Sequence, residues 1–213
     1  MDITAVLQAF VKNSSDRANI AATRGGSLLN TPYGLSYSRW VAEGKGYQVG
    51  EATAVAAVIA LPTTTAGLTI QNGEPDNGKW YVFHSVFAQI EASGAAVQTV
   101  GIAHCIGMNR VAAATQDVAL TSVKPLLGGS GPYAGLAIVD LAATVVDDLW
   151  KPVGSAVSTA VASNGALALD VLLDGLVILK PKAQYSLKLV GTATSITGRL
   201  GARWFEIDAS ELT

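Results

Sequence analysis

From Leu35 onward the chain is cut into short apolar runs by Gly, Pro, Asn and Thr, and this spacing limits its fold more than any motif. "LSYSRWVA" alternates in part, and "TAVAAVIAL" is a brief apolar run that stops at Pro62. "GLTIQN", "KWYVFHSVFAQIE", "AAVQTVGIAHCIGM" and "YAGLAIVDL" follow, and the last third opens with "LDVLLDGLVIL". In "YSLKLV", Tyr185, Leu187 and Leu189 face one way and Ser186 and Lys188 the other, the period of a half-buried strand. The closing strand sets Leu200, Ala202 and Trp204 against Arg199, Arg203 and Phe205, so both of its faces are partly apolar. Roughly eight to ten short strands with turn residues between them predict two packed sheets or a barrel, not alternating βαβ units.

Among two-sheet folds, a jelly roll takes about eight strands with several long connections, whereas an immunoglobulin domain needs only ~100 residues. No linker divides the chain into halves. The expected fold is therefore all-β, a jelly-roll-like antiparallel β-sandwich over residues 35–213 with a short N-terminal helical arm. In the arm and its tether, residues 1–34, Ile3, Val6, Leu7, Phe10 and Val11 fall at helical spacing behind Asp2 as a possible N-cap. "NSSD" at 13–16 breaks that pattern and "RGG" at 24–26 forms a flexible joint. Such a helix cannot bury its own stripe, so it is expected to dock on the body or on a neighbouring subunit. A second helix is plausible within "AAATQDVALTSV" at 112–123, which could equally be a loop.

Only 14% of the residues are charged while 50% are hydrophobic, against roughly 25% charged in an average soluble domain. A weakly charged surface is one that associates, and a homo-oligomer is expected. The net charge of −2 and the lack of any Lys/Arg run leave no electrostatic footprint for nucleic acid. No apolar stretch reaches the ~18 residues a membrane span needs. "MDITAVLQAF" has neither a basic n-region nor a small-residue cleavage site, so synthesis in a cytoplasm is expected. The single cysteine, Cys105, sits among apolar neighbours and reads as a buried free thiol.

No catalytic, cofactor or metal site is expected. His84 and His104 lie in apolar runs about twenty residues apart, and His104 adjoins Cys105; neighbours on a strand point to opposite faces, so those two cannot converge. Glu74 and Asp76 in "NGEPDNG", with Asp147 and Asp148 in "VVDDLW", are the acids weighed as calcium ligands, and "NGEPDNG" lacks calcium-loop spacing. The pairs Asn72-Gly73 and Asn77-Gly78 readily take positive φ, and with Pro75 between them the stretch reads as a corner between strands. "LLGGSGPYAG" at 126–135 lacks the Gly-Lys-Ser/Thr ending of a phosphate loop. Trp40, Trp80, Trp150 and Trp204 are spread along the chain as core or interface anchors. Trp150 with Tyr133 is the one pairing that could form a carbohydrate platform.

The helical arm, the Ala/Gly/Thr-rich body, the hairpin "VILKPKAQYSLKLVG" and the final strand "GARWFEID" together resemble jelly-roll structural proteins of phage and related viral particles: capsid, cement or head-decoration subunits. The resemblance covers residues 35–208 in style and implies a non-enzymatic virion protein made in the host cytoplasm. It also implies that the partners are other copies of itself, a trimer favoured, and other virion proteins. Ile3, Val6, Leu7, Phe10 and Trp150 are the interface candidates on this reading. The alternative is a receptor- or carbohydrate-binding β-sandwich module with its site on the loops near 72–78, 126–133 and 147–150.

Overall fold

A computed structural model describes residues 36–62, 65–92, 97–107, 122–143, 145, 150–158 and 163–212. The chain divides into two compact units, Met1–Ser38 and Arg39–Thr213, and the architecture below is that of the second. The expected arm and its tether (residues 1–34) lie outside the described residues, as does nearly all of the candidate helix at 112–123.

The strands are β1 (Gly46–Gly50), β2 (Val55–Ala56), β3 (Leu68–Asn72), β4 (Trp80–Ala92), β5 (Gln98–Gly107), β6 (Lys124–Pro125), β7 (Ala137–Asp140), β8 (Lys151–Ser158), β9 (Ser163–Leu179), β10 (Gln184–Gly191) and β11 (Thr197–Ile207). One sheet runs β6-β1-β11-β4-β9, with β2 on the start of β11, and the other runs β7-β3-β10-β5-β8. Every ladder between these strands is antiparallel.

The winding follows from the order of pairing. Setting aside the short β2, β6 and β7, the first remaining strand pairs with the last (β1·β11), then β3 with β10, β4 with β9 and β5 with β8. Pairs of this nested kind describe one long hairpin rolled up on itself, which is the jelly roll with its two Greek keys. The rolled hairpin closes because β11 also pairs with β4, and β10 with β5.

The core between the sheets agrees with the alternation in the sequence. Tyr185, Leu187 and Leu189 of β10 and Leu200, Ala202 and Trp204 of β11 are all buried in it, joined by Tyr81, Phe83, Val86 and Ile90 of β4. The two sheets meet around a set of aromatic rings, with Phe83 lying edge-on to Tyr185 at 4.8 Å and 6.2 Å from Trp204. Lys180-Pro181-Lys182-Ala183 links β9 to β10 as a turn closed by the Ala183 N–H to the Lys180 carbonyl at 3.1 Å, with Pro181 where a fixed φ is favoured and Lys182 at φ +68.

Three local readings are corrected. Ser36–Ala42 within "LSYSRWVA" is a helix, α1, not a strand. It ends in a Schellman motif: Gly44 takes φ +73, its N–H bonds the Val41 carbonyl and the Lys45 N–H bonds that of Trp40, each at 2.9 Å. Partial alternation over so few residues cannot outweigh a glycine at that C-cap and the Trp40 ring packed on Phe205 at 5.3 Å. "TAVAAVIAL" forms no buried strand. Only Ala57 is buried there, and Ile59 and Leu61 are exposed. The segment crosses between the sheets, with the Ala57 N–H on the Ile196 carbonyl and the Val58 N–H on that of Leu189.

The corner at 72–78 exists, but without positive φ at either Asn-Gly pair. Asn72 builds it with its side chain. Its Oδ1 accepts the Glu74 N–H at 3.0 Å, and its Nδ2 donates to the carbonyls of Lys79 at 2.8 Å and Leu179 at 3.1 Å. Gly78 is needed for space, since a Cβ there would lie 2.6 Å from the Cβ of Glu74.

Candidate functional site

Among the described residues, the long, two-faced β9 carries the most exposed large apolar side chain. Leu169, Leu173, Val177 and Leu179 of this strand enter the core. Between Leu172 and Val177 four residues stand opposite the single His84 of β4, a large bulge. Asp174 at φ 49 and Gly175 at φ 79 produce it, and Leu176 rides on its crest, 87% exposed. Leu172 is 62% exposed and Ile178 is 40% exposed on the same strand. Among the described residues β9 pairs only with β4, at the end of its sheet. A strand at the end of a sheet carrying exposed leucines is a surface suited to association.

The neighbouring outer face of this sheet is polar and aromatic. The Arg203 guanidinium lies over the Phe87 ring at 4.6 Å, and its Nη1 donates to Ser85 Oγ and Asp170 Oδ2, each at 2.8 Å. Lys180 Nζ sits 5.1 Å from the Trp80 ring centre. These contacts order the charged side chains beside β9 while leaving its leucines uncovered.

Trp150, expected at an interface, is packed inside its own chain. It is 6% exposed in a second cluster with Ala66, Ala103, Cys105 and Val145. Tyr133 is also buried, at 7%, and belongs to the main core. The two rings therefore form no exposed platform. Ile3, Val6, Leu7 and Phe10 lie outside the described residues, as do Asp147 and Asp148.

The histidines are well apart in role. His104 Nδ1 is 2.8 Å from Tyr185 Oη on the adjacent strand, and burial holds its pKa below the ordinary value, with the Lys151 charge adding to the effect. Cys105 joins the second cluster instead, so the two neighbours do face opposite ways. His84 is on the other sheet, its ring 6.2 Å from Phe205. Asp76 pairs with Lys182. Among the described residues no three His, Cys, Asp or Glu side chains group as metal ligands, and no helix is long and apolar enough to cross a membrane.

Three buried acids carry no signal that the sequence analysis uses: Asp140, whose Oδ1 accepts the Ala142 N–H at 2.8 Å, and two with an oxygen left unpartnered, Glu51 and Glu206. Glu51 follows β1, and its Oε2 accepts the Leu200 N–H at 2.6 Å while Oε1 meets no partner. Burial pushes its pKa up to about 7, against the opposing pull of that hydrogen bond and of Lys188. Glu206, cross-strand from Tyr81 on β4, accepts the Tyr133 hydroxyl at 2.6 Å and the Trp204 Nε1–H at 3.2 Å, both on Oε1. Its Oε2 has no partner. Burial raises its pKa, the bonds from Tyr133 and Trp204 and the Lys79 charge oppose this, and Glu74 adds to the rise. An acid at an inward position of an apolar strand, as in "RWFEID", was the available signal for Glu206.

Comparison of the sequence with protein-family models and with curated proteins finds no match.

Proposed function

We propose that this chain is a structural subunit of a viral particle, a capsid, cement or decoration protein, that works by associating with copies of itself and with other virion proteins. The observation that carries the reading is the crest of β9, where Leu172, Leu176 and Ile178 are exposed on a strand that, among the described residues, is paired on one side only. The nested jelly-roll pairing and the low charge, 14% of residues, support it further. A rigid sandwich supplies a fixed surface, and association then needs little ordering beyond side chains. The N-terminal residues Ile3, Val6, Leu7 and Phe10 add anchors on a neighbouring subunit, each worth roughly 1.5–3 kcal/mol when fully buried. A trimer is the favoured assembly.

Light scattering after size exclusion, with negative-stain images of each peak, tests this. Full-length protein should run as a trimer or larger shell, Leu176→Lys should shift it toward monomer, and removal of residues 1–26 should weaken assembly while the sandwich stays folded. A monomer at every concentration, or an assembly indifferent to both changes, would refute self-association.

A further inference from the structure

The chain contains three Asn-Gly pairs, Asn72-Gly73, Asn77-Gly78 and Asn164-Gly165. The third lies in β9. The first two stand at opposite ends of the corner between β3 and β4, and the fold treats them differently. Asn72 is fully buried. Its N–H donates to the Ala183 carbonyl at 2.9 Å, and its carbonyl accepts the Lys182 N–H at 2.7 Å. Its carboxamide is held at both ends, Oδ1 by the Glu74 N–H and Nδ2 by the carbonyls of Lys79 and Leu179. An added Cβ on Gly73 would strike the Leu136 carbonyl, so the backbone just beyond Asn72 is confined as well.

Asn77 is exposed, as are Pro75 and Asp76 before it. Among the described residues nothing bonds its carboxamide. A single turn bond, from the Gly78 N–H to the Pro75 carbonyl at 2.7 Å, holds the Gly78 nitrogen. The Asp76–Lys182 pair beside this turn joins side chains that are 77% and 55% exposed, where an ion pair contributes little. A turn closed by one bond at an exposed loop tip opens at the low end of the range of local free energies. Freeing Asn72 instead requires parting β3 from β7 and β10.

We propose that Asn77 is a site of deamidation in the folded protein, and that the fold protects Asn72 from the same reaction. With the turn open, the Gly78 nitrogen, its proton taken by hydroxide, attacks Asn77 Cγ. The bond from Cγ to Nδ2 breaks, ammonia leaves with a proton from water, and a cyclic imide remains. Glycine permits the attack because no Cβ crowds its nitrogen. Water then opens the ring at either carbonyl and leaves aspartate or isoaspartate. Each event adds a negative charge to a loop that already carries Glu74 and Asp76. Isoaspartate also lengthens the backbone by a carbon, which breaks the geometry of the turn bond between Gly78 and Pro75. The Asn72 half of the corner keeps its bonds, so the sandwich stays closed around a chemically altered tip.

The test holds full-length protein in mildly alkaline buffer, natively and in urea. Peptide mass spectrometry and an isoaspartate-specific methyltransferase then locate the new acids. Natively, acid should accumulate at Asn77 at least about tenfold faster than at Asn72, a ratio set by the difference in local opening. In urea the two rates should approach each other, since both pairs are then unstructured. Equal native rates at the two positions overturn the proposal, as does faster reaction at Asn72. So does a native Asn77 that is still intact once the urea sample has reacted. A difference that persists undiminished in urea would place its cause in the local sequence and overturn the protection of Asn72 by the fold.

Discussion

Glu51 allows the most quantitative test of how this sandwich is built. Its backbone N–H bonds the Leu200 carbonyl at 2.9 Å and its own Oε2 takes the Leu200 N–H at 2.6 Å, so the side chain stands in for a ladder partner just past the end of β1. The other oxygen is buried without a partner. Burial raises the pKa from 4.5 to about 7, and at ~1.4 kcal/mol per unit this corresponds to about 3 kcal/mol. The folded state binds this proton more tightly than the unfolded chain. The contribution is therefore fully present below about pH 4.5, lost progressively as pH rises to about 7, and flat above. Against a total stability of order 5–15 kcal/mol, that is a large change.

Glu51→Gln mimics the protonated acid and removes the titration. Its amide NH2 would occupy the place of the unpartnered Oε1, at a cost of about 1–3 kcal/mol that does not vary with pH. The difference between wild type and variant isolates Glu51, because the rising contribution of His104 and the falling one of Glu206 are common to both. Urea unfolding followed by tryptophan fluorescence, at one protein concentration, should show the variant gaining on the wild type by about 3 kcal/mol between about pH 4.5 and 7.5. A difference that stays constant within about 0.5 kcal/mol across that range would refute the assignment.

Other outcomes follow from packing. Gly135→Ala should destabilise by about 1–3 kcal/mol, read by the same urea titration, because its methyl would clash with Tyr133 Oη. Gly154→Ala should also lower the urea midpoint, since the added carbon would meet the Val171 side chain where β8 closes on β9. Cys105, buried in the second cluster, should resist thiol reagents in native protein and react fully in denaturant. Rapid labelling without unfolding would contradict its placement.

Alternation made much of this fold legible in advance. Where a strand has one dry face, the period of two is imposed by burial, and in β10 and β11 the inward residues are those the sequence separates from their polar neighbours. Turn chemistry at Lys180-Pro181 was equally local. α1 and the crossing segment around Ala57 were not legible, because their conformation depends on what they touch: the Phe205 ring in one case, carbonyls from both sheets in the other. Trp150 looked like an anchor for a partner because a sequence cannot tell its own cluster from a neighbour's surface.

β9 had the same ambiguity. "LDVLLDGLVIL" reads as a strand apolar on both faces, which fits a doubly buried position as well as an edge. Only the pairing order puts β9 at the margin of its sheet, and only two consecutive left-handed residues, Asp174 and Gly175, lift Leu176 into solvent. The burial of Glu51 and Glu206 is tertiary in origin too. A glutamate's environment is set by strands distant in sequence, Leu200 for Glu51 and Tyr133 for Glu206. The sequence by itself determined the two-sheet class and the inward face of its best-patterned strands, because burial enforces a local period. The tertiary structure alone decided which strand is an edge and which acids are starved of water, because both depend on neighbours far along the chain.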